Sequence, residues 1–379
     1  MSTEIVRLNA SDYDELMAFL KRVFTIQNKR ETDFEKILPK MCIPDDEHMG
    51  KHLGIKKDGK LVAVAGVYPL PAKVCGQELM FSTVGNIATA PEEEGKGYMS
   101  LLLNEAMAEL ERIGADASRL SGARQRHNRF GYELGGFMYD VTICPYNIKY
   151  QKPAFESDLT FVPVSLEDTE MLTELMKIYN KGKFVAERKS ITDFYLTSIA
   201  WESKMYAAVR PDGNAVGYIS SLDDKKNITE IVSGTPEEFK EIILKWIVTN
   251  DTPAVFKVMP HQAEELNLLS KIYNNCTLTY TSCFKIINWS KVIDAFLKLK
   301  SSYARLCDTD FIAEIERYGN VRIMCKNNNA ECIDTKEKGS IRLTELDAVR
   351  YFFDPMAVEF SKRPDILPLP LSWSYQDRV

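Results

Sequence analysis

Residues 89–100, Thr-Ala-Pro-Glu-Glu-Glu-Gly-Lys-Gly-Tyr-Met-Ser, set two glycines between an apolar run and an amphipathic one, and this junction constrains the fold most. Phe81 to Ala90 reads as a strand, alternating enough to be half buried. Met99, Leu102, Leu103, Ala106, Met107 and Leu110 recur at helical spacing, and Gly114 stands where a helix ends. Gly95 and Gly97 lack a Cβ, so the loop can turn sharply and approach a ligand through its backbone. The free N–H groups of the first helical turn then point into the loop, and the helix dipole favours an anion such as a pyrophosphate there. Taken alone, glycines at such a junction serve equally well as a turn.

The next segment decides between these readings. A short strand, Ala117 to Gly122, leads into Arg124-Gln-Arg-His-Asn-Arg-Phe-Gly-Tyr132. Strand, glycine loop, helix, second strand and a short helix ending in Phe-Gly-Tyr is an order that resembles the GNAT superfamily of acyl-CoA-dependent N-acetyltransferases. Within it, Gly95 to Ser100 together with Arg124 to Tyr132 is most similar in wording to the Eis (enhanced intracellular survival) type. The resemblance implies a mixed α/β chain of three parts: residues 1–150, a GNAT domain with the acyl-CoA loop; 151–286, a degenerate GNAT-like domain; and 287–379, a sterol-carrier-protein-like α+β domain. It also implies acetyl-CoA as co-substrate, held by Ile87, Ala88, Thr89, Gly95, Lys96, Gly97, Tyr98, Met99, Ser100 and Asn128. Backbone donors after Gly85 would polarise the thioester carbonyl. The acceptor would be a primary amine, on a small molecule or a lysine-containing peptide, attacking the thioester directly. No serine or cysteine stands in a recognisable triad, so a covalent acyl-enzyme is the weaker mechanism.

Two residues depart from the family pattern. Glu94 stands where the family keeps Arg or Gln, the last of three acids beside a phosphate site. Two unit charges at roughly 6 Å repel by less than ~1 kcal/mol in water, and salt screens this further. With backbone N–H groups gripping the phosphates and Lys96 offsetting one charge, weakened affinity is expected rather than lost binding. His127 stands where the family keeps the tyrosine that protonates the departing thiolate. A tyrosine of pKa about 10 carries its proton at pH 7, whereas a histidine of about 6.5 is only about a quarter protonated. If His127 is the acid, the rate falls as pH rises; otherwise it is a turn residue of a weakened site.

Composition narrows the remaining classes. The chain has 379 residues, too many for one ordinary core, with 45% hydrophobic and 27% charged residues, a soluble globular balance. A net charge of -6 gives no electrostatic case for nucleic acid or an anionic membrane. Eight dispersed cysteines without a Cys-x-x-Cys pair, and four scattered histidines, argue against a structural zinc site and give no metal. The N-terminus lacks a signal-peptide pattern and no run reaches the roughly 18 apolar residues of a membrane span, so a reduced, cytoplasmic protein is expected.

In the first segment, Ser11 caps a helix whose stripe is Leu16, Phe19, Leu20, Val23 and Phe24. Asp58-Gly59 turns a hairpin, and Gly136 to Ile143 supplies a closing strand. The carboxylates of Pro44-Asp-Asp-Glu-His48 are candidates to attract a cationic amine. In the second, residues 207–220 repeat the strand, Asp-Gly turn, strand pattern, and a helix begins at Pro236. Only Ser233-Gly-Thr precedes that helix, with no Gly-x-Gly for a phosphate nest, so this copy is expected to be structural. The third contains a helix from Ser290, with Val292, Ile293, Phe296 and Leu297 on one face. Paired strands around Tyr318-Gly319 and a helix halted before Pro355 follow.

The last residues, Leu367 to Val379, are too apolar and aromatic for a frayed tail. The Eis resemblance implies that the terminal carboxylate, here on Val379, enters the first active site and takes the amine proton. An α-carboxyl pKa of about 3.5 must be raised by desolvation for that role. The resemblance further implies a homo-oligomer, a hexamer. Two rival functions stand beside the enzyme: an acyl-CoA sensor with lost catalysis, and a lipid carrier using the third segment.

Overall fold

The computed structural model describes residues 3–151, 153–357 and 365–379. The first unit runs β1 (Thr3–Arg7), α1 (Tyr13–Asn28), β2 (His52–Lys57), β3 (Lys60–Val74), β4 (Gln77–Thr89), α2 (Tyr98–Arg112), β5 (Ala117–Leu120), α3 (Arg124–His127) and β6 (Glu133–Ile143). Asp58 and Gly59, at φ of 50° and 79°, form the tight turn expected between β2 and β3. The second unit repeats the pattern: β7 (Thr160–Pro163), α4 (Thr169–Tyr179), β8 (Phe184–Ala186), β9 (Lys204–Val209), β10 (Ala215–Ser221), β11 (Ile228–Ser233), α5 (Pro236–Asn250), β12 (Ala254–Val258), α6 (Ala263–Leu269) and β13 (Asn275–Ile286).

The two units exchange their last strands. The large sheet has the order β1-β2-β3-β4-β5-β13-β6-β12, so β13 of the second unit occupies the place beside β5 where β6 was expected to close the first. β6 instead lies between β13 and β12, pairing Ile143 with Ala254. The expected division at residue 150 is therefore crossed by hydrogen bonds on both sides. The exchange removes the open strand edges that two separate sheets would present. β11, β10, β9 and β7 form a second sheet.

Phe81 to Gly85 of β4 are all buried, not half buried as the alternation suggested. α2 covers one face with Leu102, Leu103, Ala106 and Leu110. On the other, Phe81 joins a core shared with the third segment, made of α7 (Trp289–Ser301), β14 (Thr309–Ile315), β15 (Gly319–Lys326), β16 (Asn329–Thr335), β17 (Ile341–Leu343) and α8 (Glu345–Phe353). That core also takes in Ala72, Val74 and Leu79 from β3 and β4, and Ile366, Leu367, Leu369, Leu371 and Trp373 from the tail. Residues 287–379 thus share their interior with the first unit.

Candidate active site

β4 and β5 are parallel and paired from Phe81 with Ala117 to Val84 with Leu120. β5 then stops while β4 continues to Thr89, so the strands part and leave a cleft. At the mouth of this cleft β4 carries a bulge: Gly85 pairs with Gly66 and Ala88 with Val64, which leaves Asn86 and Ile87 opposite one residue of β3. Asn86 sits at φ 50°, a left-handed backbone that asparagine tolerates better than most residues.

A buried hydrogen-bond chain fixes the bulge. Asn86 Nδ2 donates to Tyr68 Oη at 3.0 Å, and Tyr68 Oη lies 2.9 Å from His52 Nε2. His52 Nδ1 is 3.2 Å from the Met49 carbonyl, which can only accept. The ring therefore carries its proton on Nδ1 and accepts from Tyr68 at Nε2. Burial pushes His52 down to about 4 and Tyr68 well above 10, so both stay neutral. On unfolding, His52 returns to about 6.5, and between pH 6.5 and 4 the unfolded chain binds the extra proton. Stability should accordingly fall as pH drops through that window, by on the order of 3 kcal/mol from this residue. The comparison to make is the urea midpoint at pH 7 and pH 4.5 for wild type and His52→Gln. A smaller acid loss in the variant is expected; an equal loss would acquit His52.

The glycine loop has the conformation that its sequence demands. Gly95 and Gly97 lie at φ 78° and 83°, and Gly97 is the N-cap of α2. Among the described residues, the N–H groups of Gly95 to Met99 donate to no backbone carbonyl, while those of Ser100 and Leu101 return to Gly97. The acidic run is largely neutralised: Glu92 pairs with Arg22 at 3.0 Å, and Glu93 with Lys57 at 2.7 Å and Lys96 at 2.6 Å. Lys96 is thus engaged by Glu93 and does not offset Glu94, which is exposed. Positive charge comes instead from two arginines outside the expected set. Arg129 Nη2 donates to Ser100 Oγ at 3.2 Å, and Arg126 Nη1 approaches Met99 Sδ at 3.9 Å. Both lay in the Arg124 to Tyr132 motif, where their charge was the available signal.

Of the expected residues, Ile87, Met99, His127 and Val379 line one cavity of ≈ 560 Å³, together with Asn86, Ser121, Gly122, Trp201 and Tyr375. Val379 reaches it from the far end of the sequence; its carbonyl oxygen stands 3.4 Å from where a Cβ on Gly85 would be. Gly95, Lys96, Gly97, Tyr98 and Ser100 lie at the loop and the start of α2. Ala88 turns into the core beneath α1. Thr89 ends β4. Asn128 does not face the cleft: its amide donates to the Tyr132 carbonyl at 2.8 Å and Glu133 at 3.1 Å, closing the turn. The carboxylates of 45–47 are also engaged elsewhere. Asp45 caps His48, Asp46 accepts from the Ala10 N–H, and Glu47 pairs with Lys189.

His127 is 6% exposed and its Nδ1 has no hydrogen-bond partner. Burial, then Arg126 and Arg129, push its pKa down. The ring therefore carries a proton at pH 7 less often than a free histidine does, which weighs against the expectation that it is the acid. A neutral ring can still donate one N–H bond and accept at the other nitrogen. Among the described residues, no cluster of three or more His, Cys, Asp or Glu is placed to hold a metal ion. Nor is any helix among them long and apolar enough to cross a membrane.

Splayed parallel strands, a bulge in the first and a glycine loop opening a helix together frame the cleft. Residues 4–135, nearly the whole first unit, match the family model described as acetyltransferase (GNAT) domain. Over nearly its full length the chain is similar in fold to a GCN5-related N-acetyltransferase from Anabaena variabilis, at 15% identity and TM-score 0.67, covering 98% of each chain. Eis1 from Mycobacterium abscessus is comparable, at 12% identity and TM-score 0.65, covering 99% of this chain and 98% of that one. A probable N-acyltransferase from Enterococcus faecalis follows at 14% identity and TM-score 0.65, covering 92% and 89%. No curated relative matches the chain.

Proposed function

We propose that the protein transfers the acetyl group of acetyl-CoA to a primary amine of a small molecule or a lysine-containing peptide. The family model supports acyl transfer in general. The observation that carries the finer reading is the single cavity in which the β4 bulge, His127 and Val379 meet. The pyrophosphate would lie on the free N–H groups of Gly95 to Met99, with Arg126 and Arg129 beside it. The thioester would lie along β4, with backbone donors at the bulge of Asn86 and Ile87 to polarise its carbonyl.

The amine nitrogen attacks the carbonyl carbon, a C–N bond forms, and the C–S bond breaks. The Val379 carboxylate takes the amine proton. The leaving thiolate is hydrogen-bonded by the neutral His127 N–H and takes its proton from solvent. Thiol release from acetyl-CoA against polyamines, aminoglycosides and lysine peptides, from pH 6 to 9, tests this reading, and release with an acetylated product supports it. Saturable binding without release would favour an acyl-CoA sensor, a reading supported by the lowered pKa of His127 and by a Glu94 that no ion pair engages among the described residues. Lipid carriage by a sterol-carrier-like third segment rests on resemblance alone. Cytoplasmic localisation and hexameric assembly rest on the sequence and that resemblance in the same way.

A further inference from the structure

The second unit has lost the glycine loop, yet it keeps a cleft at the equivalent place. Among the described residues, Asn227, just before β11, forms one parallel bridge with Val255 of β12, and β11 and β12 are not paired beyond it. The resulting cavity, ≈ 470 Å³, is lined by Thr229 to Thr235 and by Met259 and His261, and also by Ser374, Tyr375 and Asp377 of the tail. The helix that follows offers no anion site, because Thr235 Oγ1 already accepts from the Glu238 N–H and Pro236 has no N–H to give. What this cleft demonstrably holds is the tail itself.

The hold is made by charged groups taken out of water. Arg188, Glu230 and Asp377 have side chains only 1%, 5% and 4% exposed. Arg188 grips Glu230 with both nitrogens, Nη2 to Oε1 at 2.6 Å and Nη1 to Oε2 at 3.0 Å, and Nη2 reaches Asp377 Oδ1 at 3.3 Å. Glu230 also accepts from Ser374 Oγ at 2.9 Å and Tyr218 Oη at 2.7 Å. Gln376 Nε2 donates to the Ser198 carbonyl at 2.7 Å, and Lys40 Nζ of the first unit donates to the Gln376 carbonyl. Residues 374, 376 and 377 are thus fixed from both units. Two residues further on, Val379 lies against Gly85 at the β4 bulge. Buried ion pairs are a poor source of net stability compared with apolar packing, but they specify one geometry, since each misplacement leaves a charge unpaired.

We propose that Arg188, through Glu230 and Asp377, is a positioning residue for Val379, and that clamping the tail is the role the second unit retains. The proposal rests on the reading of Val379 as the proton acceptor. Asp377→Asn keeps the shape and removes the charge. It is expected to lower kcat at least tenfold while KM for acetyl-CoA stays within twofold. In a chain lacking Val379 the same substitution should change kcat no further, because the group it positions is gone. Equal factors in the two backgrounds, or wild-type kcat in Asp377→Asn, would overturn the proposal. Glu230→Gln is the second variant should Asp377→Asn fail to fold, with the same pattern expected. Release of Val379 by a carboxypeptidase gives a readout independent of turnover, and should be slow in wild type and at least tenfold faster in Asp377→Asn. A tail cleaved equally fast in both would refute the clamp even if no amine is ever acetylated. Protected tails with no turnover on any amine would instead fault the acyl-transfer reading.

Discussion

Removal of Val379 is expected to lower kcat for amine acetylation about 100-fold, the lower range of a general base's contribution, with little change in acetyl-CoA affinity. The expectation follows from where the residue sits. Its side chain and carbonyl oxygen pack on Gly85, while Gly95 and Gly97 of the glycine loop open onto space with nothing of the tail within 4 Å of where their Cβ atoms would stand. Val379→Ala keeps the carboxylate and should retain most of the activity. One glycine appended after Val379 moves the carboxylate by a residue and should behave like the deletion. Steady-state thiol release on the three variants separates these cases. Full activity in the deletion would assign the amine proton to water.

The largest stability effect is expected at Trp373. Its indole is 2% exposed, stacked on Phe81 at 5.0 Å, edge-on to Phe284 at 5.2 Å and covered by the Arg119 guanidinium at 5.9 Å. It joins β4, β13 and the third segment in one core. Trp373→Ala removes these contacts and leaves a cavity the neighbouring sheet cannot collapse into, at about 3–5 kcal/mol. The indole Nε1 has no hydrogen-bond partner, so Trp373→Phe loses no such bond and should cost clearly less. Urea midpoints for the two variants measure the difference. Midpoints alike in wild type and Trp373→Ala would mean that the tail is not part of the core.

The residues that carry the site were legible in the sequence to different degrees. The loop and α2 could be read because Gly95 and Gly97 have a steric reason to be glycine and the Leu102 to Leu110 stripe has a helical period. The docking of the tail could be read from its apolar, aromatic character, which no solvated tail needs. The bulge at Asn86 could not, since nothing in Val-Gly-Asn-Ile distinguishes a bulged strand from a regular one. The exchange of β6 and β13 was equally hidden: both are long strands with similar patterning, and either satisfies the partner beside β5. Charge pairing was misassigned for a related reason. Glu92, Glu93 and Glu94 look alike in sequence, but only Glu93 turns inward to meet Lys57 and Lys96. His127 lines the cleft as expected, but the downward push on its pKa from burial and two neighbouring arginines is a property of the fold that the sequence did not display.

The most direct test of the central claim, that the first unit's cleft is the acyl-CoA site, is a calorimetric titration of acetyl-CoA into wild type and Gly97→Asp. Gly97 lies at φ 83° at the N-cap of α2, so aspartate there strains the backbone and sets a carboxylate at the proposed pyrophosphate site. The account predicts one acetyl-CoA bound per chain in wild type and no measurable binding in the variant. Undiminished binding in Gly97→Asp, or none in wild type, would contradict it.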